Sequence, residues 1–125
     1  MSATTEQPPP TAGSGSEVWP IILDRYRESP PELLADMRAR DSLGRERYGT
    51  PLRTWNGRDA VADAYQEALD LVVYVEQARQ RLALDGGDAW ADRLIAMREM
   101  AVVIAAGLRG LHAAGLVPIH PRGEL

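Results

Sequence analysis

The chain of 125 residues contains no cysteine, no lysine and no phenylalanine, and it has only two histidines. Without cysteine, disulfide frameworks, zinc ribbons and thiol nucleophiles are excluded. His112 and His120 stand near the C-terminus and form no metal-ligand spacing with each other. All 14 basic residues are arginine, which points to the codon usage of the source genome, so a guanidinium here says less than usual about an anion site. The formal net charge of −4 argues against nonspecific nucleic-acid binding, which requires a clustered basic surface. No apolar run approaches the roughly 18 residues of a membrane span, and the N-terminus carries no signal-peptide hydrophobic region. A cytoplasmic protein without a membrane partner is expected.

What is present is a chain of ordinary globular composition, enough for one domain with short tails. Residues 1–16 are rich in Pro, Gly, Ser and Thr and read as a disordered tail, residues 17–115 as a helical domain, and residues 116–125 as an irregular tail. A short helix is expected to begin near Pro20 and to end before Pro30, because proline suits a first helical position. Ser29 reads as the cap of a second helix running to about Leu43, with Gly44 breaking or loosening it. Residues 48–57 carry loop chemistry, with two glycines, a proline and the Asn56-Gly57 turn. Long helices are expected over 58–84 and 89–114, joined by a reversal at Asp85-Gly86-Gly87-Asp88, with Asp88 as cap and Gly115 as stop. No segment alternates in the manner of a strand, so the fold class is an all-α bundle.

Asp63, Glu67 and Asp70 recur at i, i+4 and i+7 and fall within an arc of roughly 60° on a helix, and Asp59 extends the stripe by a turn. Like charges at this spacing cost an isolated helix roughly 0.2–0.5 kcal/mol per pair. Water and salt offset that repulsion on an open face; a divalent cation offsets it in a cleft. The next five residues, Leu71-Val72-Val73-Tyr74-Val75, leave no helical face for solvent, which favours the cleft and suggests that a partner subunit covers this helix. Hard oxygen donors without cysteine select Mg²⁺ or Mn²⁺ over zinc. A solvated acidic face remains the alternative at this point.

In an antiparallel hairpin turning near residue 86, Asp70 lies level with about residue 102, and Asp88 and Asp92 are about 20 Å away along the axis. If the preceding helix packs antiparallel around the 48–57 loop, Asp41 comes level with about 65 and Asp36 with about 70. Either can join the stripe or face solvent. The 44–58 stretch adds Arg45, Arg47, Arg53 and Arg58, and carboxylates, a divalent metal and guanidinium groups together suit a polyphosphate. Tyr48 and Trp55 can stack on a base or pack in a core, and Asn56 can read a base edge or make a turn.

Glu67-Ala-Leu-Asp70 before its apolar run resembles the second acidic motif of the MazG-like all-α nucleoside triphosphate pyrophosphohydrolases. The longer string, Arg47-Tyr-Gly-Thr-Pro-Leu, then Asn56-Gly-Arg-Asp, then Asp63-Ala-Tyr-Gln-Glu-Ala-Leu-Asp70, is similar to the phage MazZ-like branch. The similarity runs over about residues 36–80. It implies a helical homodimer or homotetramer that uses Mg²⁺ or Mn²⁺ to convert a nucleoside triphosphate to the monophosphate and pyrophosphate. The MazZ-like branch implies dGTP, possible GTP use, and a place in 2-aminoadenine nucleotide synthesis in a host cytoplasm. Carried over, Glu67 and Asp70 are metal ligands and catalytic. The family's first motif, Glu-Glu-x-x-Glu on the preceding helix, is not present, and Asp36, Asp41 and Asp63 are the stand-ins. Arg45, Arg47 and Arg58 are the phosphate candidates, and Tyr48, Trp55 and Asn56 the base candidates. The rivals are a non-catalytic helical adaptor and a nucleotide-binding sensor.

Overall fold

The computed structural model describes residues 6–84, 86 and 88–115. It is mostly helical, and its contacts fall into two compact units, residues 7–58 and residues 59–115. The expectations for the 1–5 and 116–125 tails, for His120, and for the parts of the 85–88 reversal at Asp85, Gly87 and the Asp88 side chain lie outside the described residues.

The first unit contains β1 (Ser14–Glu17), α1 (Val18–Arg25), α2 (Pro31–Tyr48) and β2 (Arg53–Trp55). The mostly helical structure agrees with the all-α expectation, and the two short strands are a small addition to it. They pair antiparallel, Ser14 opposite Trp55 and Glu17 opposite Arg53, so β1 carries one residue more than β2 between the two pairs. That surplus is a bulge, with Gly15 at φ +86° supplying the left-handed backbone a bulge of this kind uses. Backbone bonds from Thr11 N to Asn56 O (2.8 Å) and from Val18 N to Leu52 O (2.9 Å) extend the pairing at both ends. Gly and Ser near the N-terminus therefore serve a strand and its approach, where composition alone reads as disorder.

The helices of this unit differ from expectation at their ends. The first begins before Pro20, at Val18, and closes at Tyr26, whose N–H donates to Ile22 O at 3.0 Å. Ser29 does not cap the second; the capping position is Pro30, which has no side-chain cap bond. Proline holds the extended backbone that precedes a helix, and Pro31 at the first helical position loses no bond through its missing N–H. Gly44 does not break the helix, which continues to Tyr48 and ends on Gly49 at φ +71°, its N–H on Arg45 O at 2.8 Å. Leu34 is the buried apolar residue of this unit.

The second unit is an antiparallel hairpin of α3 (Ala60–Leu84) and α4 (Asp88–Ala113). On each helix the positions that turn inward follow a seven-residue repeat: Val61, Tyr65, Ala68, Val72 and Val75 on α3, and Leu94, Arg98, Ala101, Ala105 and Leu108 on α4. The fully covered positions in this unit are alanines, namely Ala62, Ala68, Ala101 and Ala105. Small residues let two helices approach closely but remove little apolar area from water. Larger apolar side chains turn outward: Leu71, Val73 and Tyr74 are 47%, 64% and 63% exposed. The 71–75 turn is thus not covered all round within one chain.

Two polar contacts fix the register of the hairpin. Glu76 receives Arg98 Nη1 from α4 at 2.7 Å, together with Arg79 at 2.6 and 2.8 Å and Gln80 at 3.1 Å. At the open end, His112 Nε2 lies 3.6 Å from Asp59 Oδ2. Asp70 accordingly stands level with about residue 102, as the turn position implied. The Arg79 guanidinium, then Gln80 and Arg98, hold the Glu76 carboxyl down to about 2 from its ordinary 4.5, against a smaller opposing effect of burial. A folded-state pKa below the unfolded one adds stability that is full above about 4.5 and is lost as the pH falls toward about 2. Melting curves between pH 5 and pH 2 are expected to fall less steeply for Glu76→Gln than for the native chain. Equal slopes would remove Glu76 from the acid response.

Candidate functional site

The acidic stripe on α3 separates into members with different environments. Asp59 lies just before the helix, where its Oδ1 accepts the Ala62 N–H at 3.0 Å and its backbone oxygen accepts the Asp63 N–H at 3.0 Å. It is a helix cap, and with His112 on its second oxygen it is occupied on both sides. Asp63 is half-buried in the first turn, where negative charge meets the positive end of the helix dipole. Glu67 and Asp70 are exposed, and among the described residues neither has an ion pair or hydrogen bond. Glu76, two turns further on, takes three donors. Among the described residues, the hairpin places two arginines on Glu76 and none on Glu67 or Asp70.

The expected partners from the preceding helix sit in the other unit. Asp36 is exposed on α2. Asp41 accepts Arg45 Nε at 2.9 Å, one turn along the helix, and the other side of the same guanidinium reaches Glu17 on β1. Arg45 is thereby held charged by two carboxylates, which raise its pKa further. Its contact with Glu17 joins residues 28 apart in sequence, so no local spacing announces it. Within neither unit do three or more His, Asp or Glu side chains come together to hold a metal ion, among the described residues.

The other candidates have definite local roles. Arg58 Nη1 donates to Pro8 O at 2.6 Å and to Gln7 O at 3.4 Å, which ties the segment before β1 to the chain after β2. Gln7 is buried on that segment, a placement with no signal in the sequence. Asn56 Oδ1 accepts the Arg58 N–H at 3.2 Å, with Gly57 at φ +79° beside it, so Asn56 makes the turn that its Asn-Gly context allowed. Trp55 is half-buried on β2. Arg47 lies over the exposed Tyr48 ring at 5.4 Å. Of the three phosphate candidates, Arg47 is the one whose described contact is a ring face and not a carboxylate or carbonyl, which leaves its N–H groups for an anion.

Among the described residues, no helix is long and apolar enough to cross a membrane. Comparison with protein-family models, with curated proteins and with solved structures finds no match for the chain.

Proposed function

We propose that the chain is a metal-dependent nucleoside triphosphate pyrophosphohydrolase of the MazG-like type, working as a homo-oligomer. Its expected substrate is dGTP or GTP, converted to the monophosphate and pyrophosphate. The observation that carries the reading is the pair Glu67 and Asp70, exposed one turn apart on α3 and without a cation among the described residues. Mg²⁺ is commonly held by one or two carboxylates, with waters and substrate phosphates completing its shell, so these two residues suit it without a closed protein cage. When bound, such an ion neutralises phosphate charge and makes water a stronger acid. Glu67 and Asp70 would hold it, with Asp63 of the same stripe one turn away. In the unit of residues 7–58, Arg47 is the phosphate candidate and Tyr48 and Trp55 the base candidates. Asp36, Asp41, Arg45, Arg58 and Asn56 stay in the assignment as secondary contributors, since pairing and turn contacts already occupy all but Asp36.

A non-catalytic helical adaptor is the second reading, favoured by the large apolar side chains that α3 and α4 turn outward. Divalent metal separates the two, because a ligand that binds only the native state stabilises it in proportion to RT ln(1 + [L]/Kd). Mn²⁺ is expected to raise the melting temperature of the native chain by several degrees and to leave a Glu67→Gln, Asp70→Asn double variant unmoved. A native chain indifferent to Mn²⁺ and Mg²⁺ favours the adaptor.

A further inference from the structure

The segment before β1 lies along the chain after β2 and is held there by polar groups. Thr11 N donates to Asn56 O at 2.8 Å, and Thr50 Oγ1 donates to Ala12 O at 3.5 Å. Arg58 Nη1 donates to Pro8 O at 2.6 Å and to Gln7 O at 3.4 Å. The Thr11 methyl stands 3.3 Å from where a Cβ on Gly57 would be, so the segment rests directly on the Asn56-Gly57 turn. Its apolar contribution is small: Pro8, Pro9, Thr11, Ala12 and Gly13 are exposed, and Gln7 is its one buried residue. Pro8, Pro9 and Pro10 have no N–H, so three successive residues donate nothing to the pairing. Few buried apolar contacts and exposed hydrogen bonds put a segment at the low-stability end of a fold, from which lids and straps are drawn.

Arg58 is the point of competition. Gln7 and Pro8 offer its guanidinium neutral carbonyl oxygens, whereas a phosphate offers a full negative charge and paired oxygens that match the guanidinium fork. We infer that residues 7–12 are a strap that competes with a polyphosphate for Arg58. The anion takes the guanidinium from Pro8 and Gln7, and the strap lifts off the Asn56-Gly57 turn. The carbonyls it releases pass to water, and the chain turns at Gly13, where glycine imposes no side-chain limit on the backbone. β1 stays in place, because its own pairing with β2 begins at Ser14. The strap thus gates the loop that carries Trp55, Asn56 and Arg58. The inference rests on the nucleotide reading of Arg58, but neither on hydrolysis nor on a metal at Glu67 and Asp70.

Amide hydrogen exchange on the full native chain tests it, with inorganic tripolyphosphate as the probe and EDTA present so that no metal takes part. The Thr11 amide reports the strap, and the Val18 amide, which donates to Leu52 O at the other end of the pairing, reports the fold. Excess tripolyphosphate is expected to leave Val18 unchanged and to speed Thr11 exchange by about tenfold or more, the factor implied by losing one hydrogen bond to a charged group. Arg58→Gln is expected to exchange fast at Thr11 without the anion and to show no further response to it. Thr11 exchange that tripolyphosphate leaves unchanged or slows, with binding or without it, overturns the proposal, and so does a slow Thr11 amide in Arg58→Gln. The response of the native chain decides even where the variant does not fold. Nucleotide turnover with Thr11 unmoved would remove the strap alone, and a released strap without turnover would remove the hydrolase alone.

Discussion

Glu67→Gln is expected to lower pyrophosphate release from dGTP by at least about 100-fold while leaving the fold intact. The substitution keeps the shape of the side chain and removes its charge. Because Glu67 is exposed and has no cationic partner among the described residues, nothing in the fold is left unpaired by the change. Relief of repulsion with Asp63 and Asp70 stabilises an isolated helix by about 0.2–0.5 kcal/mol per pair, so the melting temperature should hold or rise slightly. Loss of activity without loss of stability is the signature of a ligand. Changes only in the groups supporting a metal's ligands cost about 10–100-fold, so loss of a ligand itself should exceed that range. Wild-type turnover in Glu67→Gln would remove the residue from the site.

The second large effect belongs to Gly13→Ala. Gly13 lies at φ +74°, and an added Cβ would stand 1.9 Å from the backbone oxygen of Trp55, so β1 could not keep its approach to β2. The left-handed backbone alone costs an alanine about 1–2 kcal/mol. Displacement of the strand should bring the total to about 3 kcal/mol or more, in the range of strained backbone sites. Gly49→Ala is the comparison: it has a similar φ of +71° with nothing within 4 Å, so it should lose only the conformational part. Chemical denaturation of both variants measures the difference. Equal losses would mean that Gly13 does not approach Trp55 closely.

These two residues also show where the sequence was legible. Helices α3 and α4 were readable because apolar spacing, the Gly86 region and Gly115 punctuate them, and the hairpin register followed from the turn position. The strands were not, because Gly13 and Gly15 are present for backbone conformation, while composition treats glycine and serine as the mark of a linker. Asp59 was read with the acidic stripe because spacing cannot tell a helix cap from a helical position one turn later. Arg45 was read as free for phosphate because its pairing with Glu17 depends on β1, which was itself unread. The apolar 71–75 turn reads as covered on every side, because five consecutive apolar residues leave no polar face, whereas Leu71, Val73 and Tyr74 are exposed on the single chain.

The central claim is tested most directly by incubating the purified native chain with each canonical NTP and dNTP, with and without Mn²⁺, and separating the products by ion exchange. The account predicts Mn²⁺-dependent conversion to monophosphate and pyrophosphate, with dGTP or GTP consumed fastest. A folded protein that turns over none of them in the presence of metal would contradict it.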